Sequence, residues 1–427
     1  MKYNTFTLPN GLRIIHLYAA SPVVYCGYQI ACGTRNENPG DEGLAHFCEH
    51  TTFKGTRRRS AMQILNRLEK VGGDLNAFTN KEDTVYYSAI LKDHLPRAVD
   101  LLTDIVFHST YPQHELDKEV EVICDEIESY LDSPAEQIFD DFENLVFEGH
   151  PLGHNILGKA GRLRQYTSAD ALRFVRRHYR TDNSVFFAYG DVDFKKLVHL
   201  LRTATKDLGG AEAQPAATSC LRDARCGMDG GAAPVRPLAP LPAYTPRQTI
   251  LDKGTHQAHV MLGCRSYSIH DKKRMPLYLL NNLLGGPGMN ARLNIALRER
   301  HALVYTVESS MVSYSDTGVW CIYFGCDPHD VRKCLKLVRR ELDKMMNRPL
   351  TDRQLHAAKR QIKGQIGVAC DNRESYALDF GKSFLHYGWE KDIARLYEHI
   401  DAITAPQMQE VAQEIFAPER LTTLIFK

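Results

Sequence analysis

Gly43–Gly55 reads GLAHFCEHTTFKG, and its centre, His46-Phe47-Cys48-Glu49-His50, decides how the rest of the chain is read. Two histidines four apart on a helix lie on one face, one turn above the other, so two imidazole nitrogens converge on one point. Glu49, next to the second histidine, is left to handle a proton. The order is H-x-x-E-H, the inverse of H-E-x-x-H, and both are zinc peptidase patterns. A catalytic zinc takes three protein ligands and keeps one position open, so a third ligand has to come from elsewhere in the chain. Cys48 lies off the histidine face and reads as a packing thiol. With 18 histidines in 427 residues, chance gives such a pattern in roughly one chain in twenty to thirty, so the assignment rests on context.

Composition narrows the context. A chain of 427 residues suits two domains of about 200 residues each. Its 53 basic and 52 acidic residues nearly cancel, which argues against a nucleic acid or an anionic membrane surface as partner. No apolar run reaches the roughly 18 residues that span a bilayer. MKYNTFTLPNGLRII has neither a basic segment followed by an apolar one nor an Arg/Ser-rich transit pattern. Eleven cysteines without a CxxC pair read as reduced thiols, so the expected compartment is the cytoplasm.

Along the first half, Pro9-Asn10-Gly11 predicts a hairpin between Thr5–Leu8 and Leu12–Tyr18, and Val23–Cys32 reads as a strand ended by Gly33. Ser60 and Gln63 form a capping box for a helix with Met62, Ile64, Leu65 and Leu68, stopped at Gly72-Gly73. Asp74–Thr79 and Thr84–Leu91 read as strands, His94–His108 and Glu115–Leu131 as helices, and Ser184–Gly190 as a strand before a last helix. The Gly- and Pro-rich stretch Asp207–Pro246 reads as a linker.

The second half repeats the outline. Gln257–Cys264 is a strand, Met275–Leu284 and Asn290–Arg300 are helices, and Tyr305–Tyr314 pairs with Val319–Cys326. Helices Val331–Asn347, Thr351–Val368, Arg373–His386 and Ala405–Ile415 follow, then strand Leu421–Phe426. The expectation is an α+β protein of two tandem homologous domains, each an antiparallel-rich sheet covered by helices. Residues 1–206 form the metal-binding domain, 207–246 the linker, and 247–427 a domain without H-x-x-E-H.

Glu115–Leu131 carries glutamates at 115, 119, 121, 126 and 128, and Glu119 and Glu126 are two turns apart on one face. Such a helix is ordinarily a solvated acidic surface, and Glu121 and Glu128 are read that way. Packed over the motif helix, it could supply the carboxylate that zinc wants beside two histidines.

With these residues the chain resembles the pitrilysin/insulinase family of inverted-motif zinc peptidases, above all the branch with the mitochondrial processing peptidase and its bacterial relatives. The resemblance rests on Asn10-Gly11, Gly33-Thr34-Arg35, Gly43–Gly55, Gly72–Thr79 and His150-Pro151-Leu152-Gly153, and in the second half on Gln257–Val260 and Leu297-Arg298 through Tyr305. It implies that His46 and His50 are metal ligands and Glu49 the catalytic base. The third ligand falls about 76 residues beyond His50, at Glu126, with Glu128 as the alternative. Glu119 matches a glutamate that orients a ligand through a hydrogen bond. Asn76, Ala77, Phe78 and Thr79 match an edge strand that pairs with substrate backbone, and Arg298 and Tyr305 match a pair that meets substrate at the scissile bond. Gly285-Gly286-Pro287-Gly288 departs from the family's run of three glycines by an inserted proline.

The implied function is a zinc endopeptidase, one zinc per chain, cutting unfolded peptides inside a closed chamber of which this chain is half. Two chains, most simply a homodimer, would enclose it. The competing reading is a non-catalytic subunit that assembles with a peptidase. Such a subunit would be expected to lose Glu49 or a histidine, and this chain keeps all three.

Overall fold

The computed structural model describes residues 2–208 and 239–427, so most of the stretch read as a linker lies outside the described residues. The first six strands are β1 (Tyr3–Thr7), β2 (Arg13–Tyr18), β3 (Val23–Ile30), β4 (Asn76–Thr79), β5 (Thr84–Leu91) and β6 (Ser184–Gly190). They form one sheet in the order β1-β2-β6-β3-β5-β4. β2 runs parallel to β6, and the other pairings are antiparallel. The Asn10-Gly11 turn forms as expected, with Gly11 at a φ of 86° that few other residues adopt.

The second set is β7 (Gln248–Leu251), β8 (Ala258–Ser266), β9 (Val304–Ser313), β10 (Gly318–Cys326) and β11 (Thr422–Phe426), in the order β7-β11-β8-β10-β9. β7 and β11 are parallel and the rest antiparallel. Without β1, the two sheets have the same order and the same strand directions. β9 therefore corresponds to β4, and each is the edge of its sheet. The duplication read from the sequence is present in the backbone.

The compact units do not follow the chain from end to end. Among the described residues, one is 2–125, 156–208 and Cys370–Lys391; the other is Glu126–Asn155, 239–369 and Asp392–Lys427. Each half of the sequence contributes a helix to the other half's sheet. Helix Arg373–Tyr387 packs on β3 and β6 of the first sheet, where Gln29 Nε2 donates to the Leu378 carbonyl at 2.8 Å. Helix Pro134–Val146 packs on β8, β10 and β11. Its Ile138, Phe142 and Val146, one turn apart, bury against Met261, Val319, Cys321 and Leu424. The sequence reading has no helix here, although proline in the first turn and the four-residue apolar spacing both signal one.

Two further differences have physical causes. In the capped helix Ala61–Glu69 only Ile64 and Leu68 are buried, while Met62 and Leu65 are exposed, because a nine-residue helix buries one narrow stripe. Residues expected as an α-helix at Asn290–Arg300 form a short π-helix, Asn294–Glu299, a wide turn that is frequent at functional sites.

Candidate active site

The motif folds as helix Leu44–Thr51, and its start has no side-chain cap because Gly43 stands at the N-cap in a left-handed conformation, φ 89°. A Cβ there would approach Gly158 Cα to 2.7 Å, so the position is closed to larger residues. The exposed amides are met by Glu37, whose buried carboxylate accepts from Gly43 N at 3.0 Å and Ala45 N at 2.7 Å. At the other end Thr52 Oγ1 donates to the Cys48 carbonyl at 2.7 Å. It also bonds the hydroxyls of Tyr86 at 3.1 Å and Tyr111 at 2.9 Å, and Tyr86 bonds Tyr179 at 3.0 Å. One donor and two acceptors are all a hydroxyl has, so Thr52 is saturated. Tyr111 reaches it from φ 52°, a backbone conformation that bulky residues take only when held there.

So anchored, the helix presents His46 and His50 one turn apart, with ring centroids 4.5 Å apart. Helix Gln113–Leu131 brings Glu119 and Glu126 over them. His46, His50 and Glu126 each offer a ligand atom, and these atoms lie within 4.8 Å of one another. Two imidazoles and a carboxylate are a donor set suited to zinc. His46 is buried, His50 partly buried and Glu126 exposed, so the group opens toward solvent on the carboxylate side.

Glu119 accepts from His50 Nδ1 at 3.2 Å and pairs with Lys54 Nζ at 2.5 Å. A neutral His50 that donates from Nδ1 keeps its lone pair on Nε2, where it can bind a metal. Burial pushes the Glu119 carboxyl up, but hydrogen bonds from His50 and Lys54 outweigh it and hold the group below the usual carboxylate range. Glu121 is exposed and takes both its bonds from Arg164, at 3.1 and 3.0 Å. Cys48 is fully buried with its thiol pushed well up by burial, as a packing residue should be.

Glu49 is buried and accepts from Thr79 Oγ1 at 3.2 Å. Thr79 is the last residue of edge strand β4, so the four residues expected to meet a peptide backbone run directly to the carboxylate expected to act on it. β4 pairs on one side only, Asn76 with Tyr87 through Thr79 with Thr84, leaving its other edge unpaired within its sheet. Arg298, on the π-helix, lies with its guanidinium 5.8 Å from the Tyr305 ring centroid. Tyr305 is the second residue of β9 and is 82% exposed, so it is no core aromatic. The structure thus brings together the three candidate ligands, with Glu49 bonded to Thr79 beside them, and separately Arg298 with Tyr305.

Residues 13–160 match the insulinase (peptidase family M16) family, and residues 165–362 match the peptidase M16 inactive domain. An uncharacterized zinc protease of Streptomyces coelicolor is 33% identical over 96% of this chain and 86% of its own length. The chain belongs to peptidase family M16. Residues 165–362, which match the inactive domain, contain no H-x-x-E-H. An uncharacterized zinc protease of Bacillus subtilis is 29% identical over 98% of this chain and 97% of its own. Among solved structures, a protease from Helicobacter pylori superposes with a TM-score of 0.87 at 22% identity, covering 100% of this chain and 99% of its own. The peptidase M16 inactive domain from Pseudomonas fluorescens superposes at 0.85 and 17% identity, over 100% and 98%. Both structures share the fold of this chain. No helix among the described residues is long and apolar enough to cross a membrane.

Sequence reasoning missed Glu37 and Thr52, which hold the two ends of the motif helix. The bare glycine at the N-cap was the available signal for Glu37, since helix amides left without a side-chain cap need an acceptor from elsewhere. For Thr52 there was none, because its two tyrosine partners come from distant segments.

Proposed function

We propose that this chain is a zinc-dependent endopeptidase that cleaves unfolded peptides, with His46, His50 and Glu126 as ligands and Glu49 as general base. The observation that carries the reading is the convergence of three ligand atoms within 4.8 Å beside a second, buried carboxylate, Glu49. Zinc held there would act as a Lewis acid on a peptide carbonyl and lower the pKa of a water to about 7. Glu49 takes the proton of the attacking water and delivers it to the departing amine nitrogen. The peptide lies extended along β4, held by its backbone to Asn76–Thr79, which favours unfolded chains over particular sequences. Arg298 and Tyr305 donate to the oxyanion of the tetrahedral intermediate.

The test is a quenched, unstructured peptide. Cleavage is expected, lost on chelation and restored by about one equivalent of zinc per chain, while a disulfide-locked folded protein is spared. A chain that cuts as fast after exhaustive chelation would sink the zinc reading.

We further propose that the chain acts as a homodimer in which Arg298 and Tyr305 of one chain complete the zinc site of the other. Glu49→Gln and the double change Arg298→Ala with Tyr305→Phe should each be inactive. In a freely exchanging mixture half the dimers are mixed, each with one intact site, so activity should return to roughly a quarter of the parent value. No recovery on mixing, or full activity in a monomer, would contradict this arrangement.

A further inference from the structure

We infer that Thr79 is a positioning residue for Glu49: its hydroxyl fixes the plane of the carboxylate, so edge strand β4 aligns the base as well as receiving the peptide. The inference rests on the reading of Glu49 as general base. Thr79 Oγ1 donates to Glu49 Oε2 at 3.2 Å, and both residues are buried, at 8% and 7% exposure. A hydrogen bond to an ionised acceptor shielded from water is among the stronger ones a side chain makes. Strand alternation explains the aim. Phe78 turns to the opposite face, its ring centroid 6.1 Å from that of Tyr87, which sends Thr79 toward the motif helix.

The end of an edge strand usually frays, and a frayed Thr79 could not hold a carboxylate. Here the turn that follows is braced from several sides. Thr34 N donates to the Asn80 carbonyl at 3.2 Å and Arg35 N to the Lys81 carbonyl at 2.8 Å. Arg35 pairs with Glu82 at 2.6 Å, Asn80 Nδ2 donates to Asp83 at 3.0 Å, and Lys382 pairs with Asp83 at 3.0 Å. Gly33 permits the approach, since a Cβ there would lie 2.1 Å from the Asn80 carbonyl oxygen. The Gly33-Thr34-Arg35 stretch, which the proposed chemistry leaves without a role, thereby fixes the residue that aims the base. Misplacement of a catalytic group by about an ångström is enough to cost orders of magnitude in rate.

The test is Thr79→Val, which keeps the branched shape and every backbone group while removing the hydroxyl. Expected are a kcat about 10- to 100-fold lower with KM within about twofold, recovery to within about threefold in Thr79→Ser, and no further loss when Thr79→Val is added to Glu49→Gln. A parent-like kcat, a raised KM at unchanged kcat, or a full additional loss in the Glu49→Gln background would each overturn the inference. If Thr79→Val melts early, Thr79→Ala repeats the comparison without a new methyl group. A parent chain that cleaves nothing, or a Glu49→Gln chain that cleaves normally, sinks the reading of Glu49 by itself. Crystal structures then decide the positioning role: a Glu49 carboxylate unmoved in Thr79→Val overturns it, and a rotated one supports it.

Discussion

Glu49→Gln should hold zinc as well as the parent chain and cleave a quenched peptide about 10²–10⁴-fold more slowly, the range lost when a positioned general base is removed. Glutamine has the same length and shape, and its amide oxygen can still accept from Thr79 Oγ1, which reaches Glu49 at 3.2 Å. The change removes no candidate ligand, because Glu49, three residues after His46, lies beside the His46–His50 stripe without belonging to the His46, His50 and Glu126 set. The loss should therefore fall on kcat, with KM and metal content unchanged. Metal analysis and steady-state kinetics on the same preparation check it. Normal cleavage by Glu49→Gln would mean that the proton is taken by another group.

That separation of roles is legible in the amino-acid sequence alone, and the reason is local. Helical spacing by itself stacks two histidines four residues apart and sets Glu49, three residues after the first, beside them. The capping box at Ser60 and Gln63 forms as expected, with reciprocal bonds of 3.4 and 2.9 Å, for the same reason: its partners are three residues apart. The strand β5 at Thr84–Leu91 and the helix Val331–Asn347 have the boundaries expected of them, both being long periodic runs closed by turn residues.

What is not legible depends on distant partners. The apolar stripe of helix Pro134–Val146 is visible in the sequence, but nothing local says that it covers the sheet built by the other half of the chain. The ends of the motif helix are held by Glu37, six residues before Gly43, and by tyrosines at 86, 111 and 179. The third candidate ligand lies between these cases. Glutamates seven apart on one helix are readable, yet the choice of Glu126 needs either the family's spacing or the fold that brings it to the histidines.

That choice is open to direct test through the metal. His50→Ala and Glu126→Ala should each lose most of their zinc, and with it cleavage, because two ligands do not hold a catalytic zinc against competing chelators. Glu126 is exposed, so its removal should leave the apo chain about as stable as the parent. What disappears is the stabilisation zinc confers, about 2.7 kcal/mol when free zinc is a hundredfold above Kd. Thermal melts with and without zinc should then coincide for Glu126→Ala and differ for the parent. Glu119→Gln belongs between these extremes. It keeps an acceptor for His50 Nδ1, now 3.2 Å from the carboxylate, but gives up the charge that makes the ring a better ligand. Zinc affinity should fall about 10- to 100-fold, the usual cost of losing such a partner, with cleavage restored at high zinc. Glu128→Ala serves as the control from the same helix and should bind zinc normally. A Glu128→Ala chain that loses zinc while Glu126→Ala retains it would move the third ligand by two residues and leave the two histidines where they are.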